Sequence, residues 1–263
     1  MRLKNLLVSL VFILAISATT TTAQQRQDWS GFKDLTFEVT TPKKRYVQLQ
    51  PVPLVLTLSN QTDRVLKGHS ALAFYANHVN VWTRAEGAEW RKIDQLSMLR
   101  ALIYVNPRDM SPGDKFTDTQ LLNLQIEKIF PQPGMYDLKA VIMSADGLQT
   151  VESRPIRFRI EAPEGADLEA YNFLHAHTNP EYFYTGSGLV RNKTAEQTLE
   201  TFVAKFEETA YGNDARFLLG QLRFATRDYE AARLLFERLA KTPDFALAAS
   251  AKEYLARIQK RQP

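Results

Sequence analysis

The sequence predicts an α+β chain, in which an antiparallel β-sandwich over residues 33–162 precedes a helical region over residues 163–263. Apolar residues recur at every second position in the first region, which is the period of a half-buried strand. In the second region they recur with a period of about 3.6, which is that of a helix. The change falls at residues 161–167, a Pro- and Gly-containing stretch typical of a linker.

The strands of the first region are predicted from apolar residues that share one face. About seven such runs, separated by turn signals such as Pro133-Gly134 and Asp146-Gly147, are typical of an antiparallel sandwich. The alternating apolar positions are Phe37 and Val39; Leu54, Leu56 and Leu58; Tyr136, Leu138, Ala140 and Ile142; and Ile156, Phe158 and Ile160.

The helical region contains a core-facing stripe formed by Leu199, Phe202, Val203 and Phe206. Three more helices are predicted over residues 214–225, 228–241 and 245–260.

Residues 130–141 place a Pro-Gly turn before a tyrosine that begins a strand. This arrangement resembles the penultimate strand of immunoglobulin-like domains. The resemblance implies an immunoglobulin-like sandwich, with the Tyr136 hydroxyl bonded to the backbone across the turn. The chain has no cysteine, so it lacks the disulfide of antibody domains.

Residues 213–243 resemble one tetratricopeptide repeat, a pair of helices that cross closely. The departures are Arg216 and Arg223, at positions that are usually aromatic, and Leu239, which replaces an alanine. The matching residues are Leu219, Gly220, Asp228, Tyr229, Ala232 and Phe236, with Pro243 within one position of the terminal proline. An ordinary helical hairpin packed on the sandwich is the alternative.

The repeat resemblance implies a groove for a partner peptide, lined by Asp214, Phe217, Gln221 and Phe224. Plain core is the alternative for the two phenylalanines. The predicted function is therefore non-enzymatic binding of another protein, or scaffolding, through this groove or through backbone pairing at an edge strand of the sandwich. Neither the partner nor the oligomeric state follows from the sequence.

A glycan-binding sandwich with a helical spacer is a second hypothesis. Trp82 and Trp90 flank the turn at Glu86-Gly87. Indole rings on a sheet can stack against a sugar ring, although such residues also form cross-strand pairs that stabilise a hairpin.

A hydrolase with a site at the domain junction is the third hypothesis, based on His175 and His177. The i, i+2 spacing puts these side chains on different faces of a helix but on one face of a strand. A metal would need a further ligand, such as Asp167 or Glu181. Because no nucleophile elbow, phosphate loop or zinc-protease motif occurs, we predict no catalytic residue, no cofactor and no metal.

Export is predicted from residues 1–23, where Arg2 and Lys4 precede an apolar run of about eleven residues, in the range of a signal-peptide core. Cleavage after Ala23 would release a bacterial periplasmic or extracellular protein with no membrane span; an uncleaved anchor is the alternative. The net charge of +4 and the lack of a basic stripe with interleaved aromatics do not indicate nucleic-acid binding.

Overall fold

The computed structural model describes residues 29–73, 78–93, 107–123, 126–177 and 193–261. The predicted signal peptide lies outside these ranges. Strands occupy the N-terminal two-thirds of the chain, after a 3₁₀ turn at Phe32–Asp34. They are β1 (Thr36–Thr40), β2 (Arg45–Val47), β3 (Val52–Ser59), β4 (Leu66–His69), β5 (Val79–Ala85), β6 (Arg91–Lys92), β7 (Pro107–Met110), β8 (Lys115–Leu122), β9 (Gly134–Met143), β10 (Thr150–Glu152) and β11 (Ile156–Glu161).

One short helix lies among the strands and the other helices follow them. The helices are α1 (Ile126–Ile129), α2 (Gly165–His177), α3 (Lys193–Lys205), α4 (Gly212–Ala225), α5 (Tyr229–Ala240) and α6 (Ala248–Gln259). None of the helices in the described ranges is long and apolar enough to cross a membrane.

The strands form three sheets. The order in a three-stranded sheet is β1-β3-β8, and the order in a six-stranded sheet is β2-β11-β9-β5-β6, with β10 also paired to β9. The strands β4 and β7 form a separate pair. Within the six-stranded sheet, β2 and β11 run parallel, with Arg45 beside Arg159.

The prediction of an immunoglobulin-like antiparallel sandwich followed by a tetratricopeptide-like region is wrong. The described chain is a mixed α/β fold with eleven strands in three sheets, one parallel strand pair, and α1 between β8 and β9. The alternating pattern indicates which face of a strand is buried, but it carries no information about the neighbouring strand. The parallel partner β2 is three residues long and buries only Tyr46, so it leaves almost no pattern in the sequence.

The predicted strand faces are confirmed. Phe37 and Val39 of β1 are buried while Glu38 is exposed, and Leu54, Leu56 and Leu58 of β3 are fully buried. The predicted hydrogen bond of Tyr136 is also present, because its hydroxyl donates to the backbone oxygen of Gln132 at 2.7 Å.

The sheets and the first helices share one apolar core. Buried residues of the sheets and of α2, α3 and α4 form a single cluster, which includes Leu174, Phe202 and Leu218. A second cluster lies between α4, α5 and α6. In this second cluster a Cβ atom on Gly220 would lie 2.9 Å from the ring of Phe236, so glycine permits the predicted close crossing of α4 and α5.

Candidate functional site

Three of the four side chains predicted to line a helical groove, those of Phe217, Gln221 and Phe224, contact α6. Phe217 is 7% exposed and contacts the rings of Phe236, Phe245 and Tyr254. Gln221 donates from Nε2 to the hydroxyl oxygen of Tyr254 at 3.2 Å. This face of α4 is therefore occupied by the chain's own last helix.

Aromatic contacts hold α6 against this face of α4. The rings of Phe236 and Tyr254 are parallel within 12° and 4.7 Å apart. The ring of half-buried Phe224 lies 5.2 Å from that of Tyr254, between centroids. The guanidinium of Arg261 lies 4.9 Å above the centre of the Phe224 ring. Of the two interpretations of Phe217, the structure places it in the core.

Asp214 lies at the opposite end of α4, where the helix meets the loop before β2. The residue keeps part of its surface exposed, but its carboxyl group lies deep among packed atoms. Burial raises the pKa of Asp214 to about 7, although the nearby Lys43 acts in the opposite direction. The buried neighbour Tyr211 donates to the backbone oxygen of Gln48 at 2.7 Å and so ties α4 to the sheet region.

Trp82 and Trp90 share the outer face of the six-stranded sheet. Trp82 stands opposite Lys139 in the pairing of β5 with β9. The ring of Trp90 lies 4.9 Å from Nζ of Lys139 and 4.6 Å from the guanidinium carbon of Arg84. The two half-buried indoles and two cations form what we call the tryptophan patch.

The same sheet face carries a three-residue ion-pair row. Asp137 accepts hydrogen bonds from Arg157 at 2.7 and 3.1 Å and from Arg84 at 3.1 Å. The hydrogen bonds from Arg157, together with that from Arg84, hold the pKa of Asp137 below its usual value despite partial burial. Since Arg84 contacts both Asp137 and Trp90, this row fixes one side of the tryptophan patch.

His175 and His177 are both exposed residues at the end of α2, and the structure does not bring them together. His175 is bonded through Nε2 to Oε1 of Glu127 at 2.9 Å, and Tyr171 donates to the same oxygen at 3.1 Å. His177 instead packs against the ring of Phe173, 4.4 Å between centroids. In the described ranges no three histidine, aspartate or glutamate side chains cluster as metal ligands would.

A second histidine pair is buried beneath the turn that leads into β1. His69 is 1% exposed, lies between Trp29 and His78, and bonds through Nε2 to the backbone oxygen of Met143 at 2.7 Å. Within the part of the chain that the structure describes, its Nδ1 has no hydrogen-bond partner. Burial first, and then the neighbouring His78, lower the pKa of His69 to about 4.

An open groove of about 690 Å³ runs along β1. One wall is β1 itself, whose one strand partner among the described residues is β3. The opposite wall consists of β10 and the start of β11, residues 151–156. Phe37 and Val39 line the groove on one side, and Val151 and Ile156 line it on the other.

Side chains of β8, the other outer strand of this sheet, contact other parts of the chain. The carboxylate of Asp118 on β8 accepts a hydrogen bond from the backbone of Leu72. Leu121 of the same strand packs against the helical cluster that contains Phe217. Of the two outer strands of the three-stranded sheet, β1 is the one that lines the groove.

Sequence reasoning named an edge strand as a docking route but did not identify β1. One signal was available, namely a charged residue in the middle of a short alternating strand, Thr36-Phe-Glu-Val-Thr40. Charges at this position are typical of edge strands, because they limit edge-to-edge association between copies of a protein.

No family model and no curated protein matches the sequence. Solved structures give partial matches. The β-glucosidase EmGH1 from Erythrobacter marinus is 12% identical with a TM-score of 0.28, over 48% of this chain and 15% of that one. A Listeria innocua β-glucosidase in complex with glucose is 13% identical with a TM-score of 0.26, over 48% and 16%. Spo0M, the sporulation control protein from Bacillus subtilis, is 8% identical with a TM-score of 0.29, over 54% and 55%. At these scores the matches carry no argument, and this chain spans only about a sixth of the glucosidases.

Proposed function

We propose that this protein is a non-enzymatic binding protein, and that it pairs the open edge of β1 with an extended segment of another protein. The observation that carries the proposal is the groove beside β1, where a strand with one sheet neighbour among the described residues borders about 690 Å³ of open space. A row of unpaired backbone N–H and C=O groups is a template for an added strand.

The groove follows the whole length of β1, because residues 36–40 all line it. An added strand would bond to β1 and would lie against residues 151–156, which form the other wall. Five residues in extended conformation, the length of β1, span about 17 Å.

The walls also support specificity for alternating sequences. Side chains of an added strand point alternately outward and into the space between the sheets. The inward positions would meet Phe37, Val39, Val151 and Ile156, which are apolar. Backbone bonds would supply affinity, and these contacts would select the side chains.

Selection from a random heptapeptide library, followed by amide hydrogen exchange on the purified protein, tests the proposal. We expect selected peptides to slow exchange of the amides in β1. As a ligand-side control, peptides with alternate backbone nitrogens methylated should lose binding, because each loses its hydrogen-bond donors. Protection confined to other parts of the chain would contradict the proposal.

We also propose export through residues 1–23, which would place this binding protein in a bacterial envelope or outside the cell. N-terminal sequencing of the protein recovered from its native source tests this, with cleavage after Ala23 as the expected result. An intact N-terminus on protein recovered from the cytoplasm would contradict it.

Glycan binding is the second candidate, and the tryptophan patch is the observation that favours it. Trp82 and Trp90 share one sheet face with Arg84 and Lys139, so a sugar ring could stack on indole while a cation bonds its oxygens. Tryptophan fluorescence titrated with cell-wall oligosaccharides tests it, because the third tryptophan, Trp29, is buried. A change that persists in a W90A variant but vanishes in W82A would leave Trp82 alone as the contact; no change in the wild type would end this candidate.

A further inference from the structure

We infer that the segment that pairs with β1 carries a basic residue opposite Glu38, with an apolar residue on either side of it. This inference rests on the proposed function, since it specifies the chemistry of the strand that the groove accepts.

Glu38 is an exposed carboxylate at the centre of a neutral row. It lies in the middle of β1, and its cross-strand neighbour on β3 is Thr57. Thr57 in turn bonds to Thr117 of β8, with 3.1 Å between the hydroxyl oxygens. Among the described residues Glu38 has no ion-pair partner, so a basic residue on an added strand could pair with it.

The residue paired with Glu38 would lie directly beside that carboxylate. Directly opposite residues on neighbouring strands have Cβ atoms about 4.5–5.5 Å apart. The far wall holds one cation, Arg154, and one carboxylate, Glu152, and the latter already accepts a hydrogen bond from Lys139 at 2.8 Å. Opposite charges in such a pair stabilise the strand pairing, whereas like charges destabilise it.

The residues that flank the basic one turn to the opposite face of the new strand. On β1, the neighbours of Glu38 are Phe37 and Val39, which are both buried and point between the sheets. Partner residues at the equivalent positions would enter the same apolar space. The accepted pattern is therefore apolar, basic, apolar.

A second copy of this chain is a poor occupant by the same reasoning. The sequence of β1 is Thr-Phe-Glu-Val-Thr, and its pattern of polar and apolar residues is the same on both sides of Glu38. Centred antiparallel pairing of two copies would match the apolar positions but would put Glu38 opposite Glu38. Charges on an edge strand block such self-association in natural sheets.

The test uses two labelled heptapeptides that differ only in their central residue. Each has valine on both sides of the centre and threonine beyond, and the centre is lysine in one and glutamate in the other. Fluorescence anisotropy at low ionic strength, where exposed charges are least screened, gives both affinities for the purified protein. We expect the lysine peptide to bind about five-fold more tightly.

Two matched charge reversals on the protein complete the test. In E38K the preference should reverse, because the carboxylate is replaced by a cation. In E89K the same charge change falls on an exposed residue of the turn between β5 and β6, so the preference should stay as in the wild type. Thermal melting of all three proteins confirms that both variants fold.

The outcomes separate this inference from the proposed function. Methylation-sensitive binding of both peptides with equal affinity would overturn the basic residue and leave strand pairing in place. Binding of neither peptide, with no protection of β1, would overturn strand pairing and the inference together. Concentration-dependent dimerisation of the wild type through β1, measured by sedimentation, would make a second copy the occupant and overturn the inference.

Discussion

A face of α4 and the edge of β1 are two possible docking surfaces. They differ in whether another part of the chain covers them. The face of α4 that carries Phe217 is covered by α6, through Tyr254 stacked on Phe236. The edge of β1 borders an open groove instead. An apolar stripe on a helix is stable when it is buried, and here the following helix of the same chain buries it. The backbone N–H and C=O groups at a strand edge need hydrogen-bond partners. Water can supply these bonds, so a strand edge can remain exposed to solvent.

The largest expected effect concerns the closed face. Phe236→Ala removes a fully buried ring that contacts Phe217 and Tyr254. We expect the free energy of unfolding to fall by about 4 kcal/mol, measured by urea denaturation. Leu234→Ala on the exposed side of the same helix should change it by less than about 0.5 kcal/mol. A loss below about 1 kcal/mol for Phe236→Ala would mean that the stack does not hold this face closed.

Acid should affect the side of the molecule that supports β1. Trp29, Phe32 and His69 pack together under the turn that leads into β1. The pKa of His69 is lowered to about 4. Between pH 6.5 and pH 4 this histidine is therefore protonated in the unfolded chain and neutral in the folded chain. Its stabilising contribution is complete above pH 6.5 and is lost as the pH falls towards 4, by about 3 kcal/mol in total.

Urea titrations between pH 7 and pH 4 measure this loss, and NMR of the histidine ring protons assigns it to a residue. His177→Gln changes an exposed histidine and should leave the pH dependence of the wild type intact. Titration of the His69 ring near pH 6.5 in the folded protein would contradict the prediction.

The α4 region should respond to pH in the opposite direction. The pKa of Asp214 is raised to about 7, so the folded state favours the neutral carboxyl group. The stabilising effect is present below the unfolded pKa, near 4, and is lost as the pH rises through 7. Because Asp214 is partly exposed, we expect a loss of about 2 kcal/mol, less than the full shift would give.

Asp214→Asn keeps the shape without the ionisation. It should therefore be about 2 kcal/mol more stable than the wild type at pH 8 and equal to it near pH 4, by urea denaturation. The exposed change Asp63→Asn controls for the substitution itself. Equal stability of wild type and Asp214→Asn at both pH values would show that the carboxyl group is effectively solvated.

The sequence predicted correctly which face of a strand or helix is buried, but it did not predict which strands pair with each other. The inward positions Leu56, Leu138 and Phe202 are all fully buried as expected, because a period reports directly on burial. Sheet membership depends on where the chain goes between strands. After Thr40 the chain crosses to the six-stranded sheet, where Arg45 pairs parallel with Arg159. That crossing leaves β1 with one strand partner among the described residues, and no local pattern encodes it.

The candidate sites follow the same division. The shared sheet face of Trp82 and Trp90 was predictable from a hairpin, which is a local structure. The closure of the α4 face was not, because it depends on the position of Tyr254, which lies 30 residues beyond Phe224 in the sequence. The open groove required knowledge of both β1 and residues 151–156, which are separated by most of the sheet region.

The smallest expected effect on stability tests whether the open edge is protected by charge rather than by cover. Glu38→Thr replaces an exposed carboxylate with a residue of higher strand propensity, next to Thr57. The free energy of unfolding should change by less than about 0.5 kcal/mol, because no ion pair among the described residues is lost. The variant should nevertheless dimerise at high protein concentration, measured by sedimentation, since two β1 edges could then pair without opposed charges. Glu89→Thr removes a glutamate from a turn and should remain as monodisperse as the wild type. If Glu38→Thr also stays monodisperse, the edge of β1 is kept from self-pairing by shape, and the carboxylate of Glu38 has a different role.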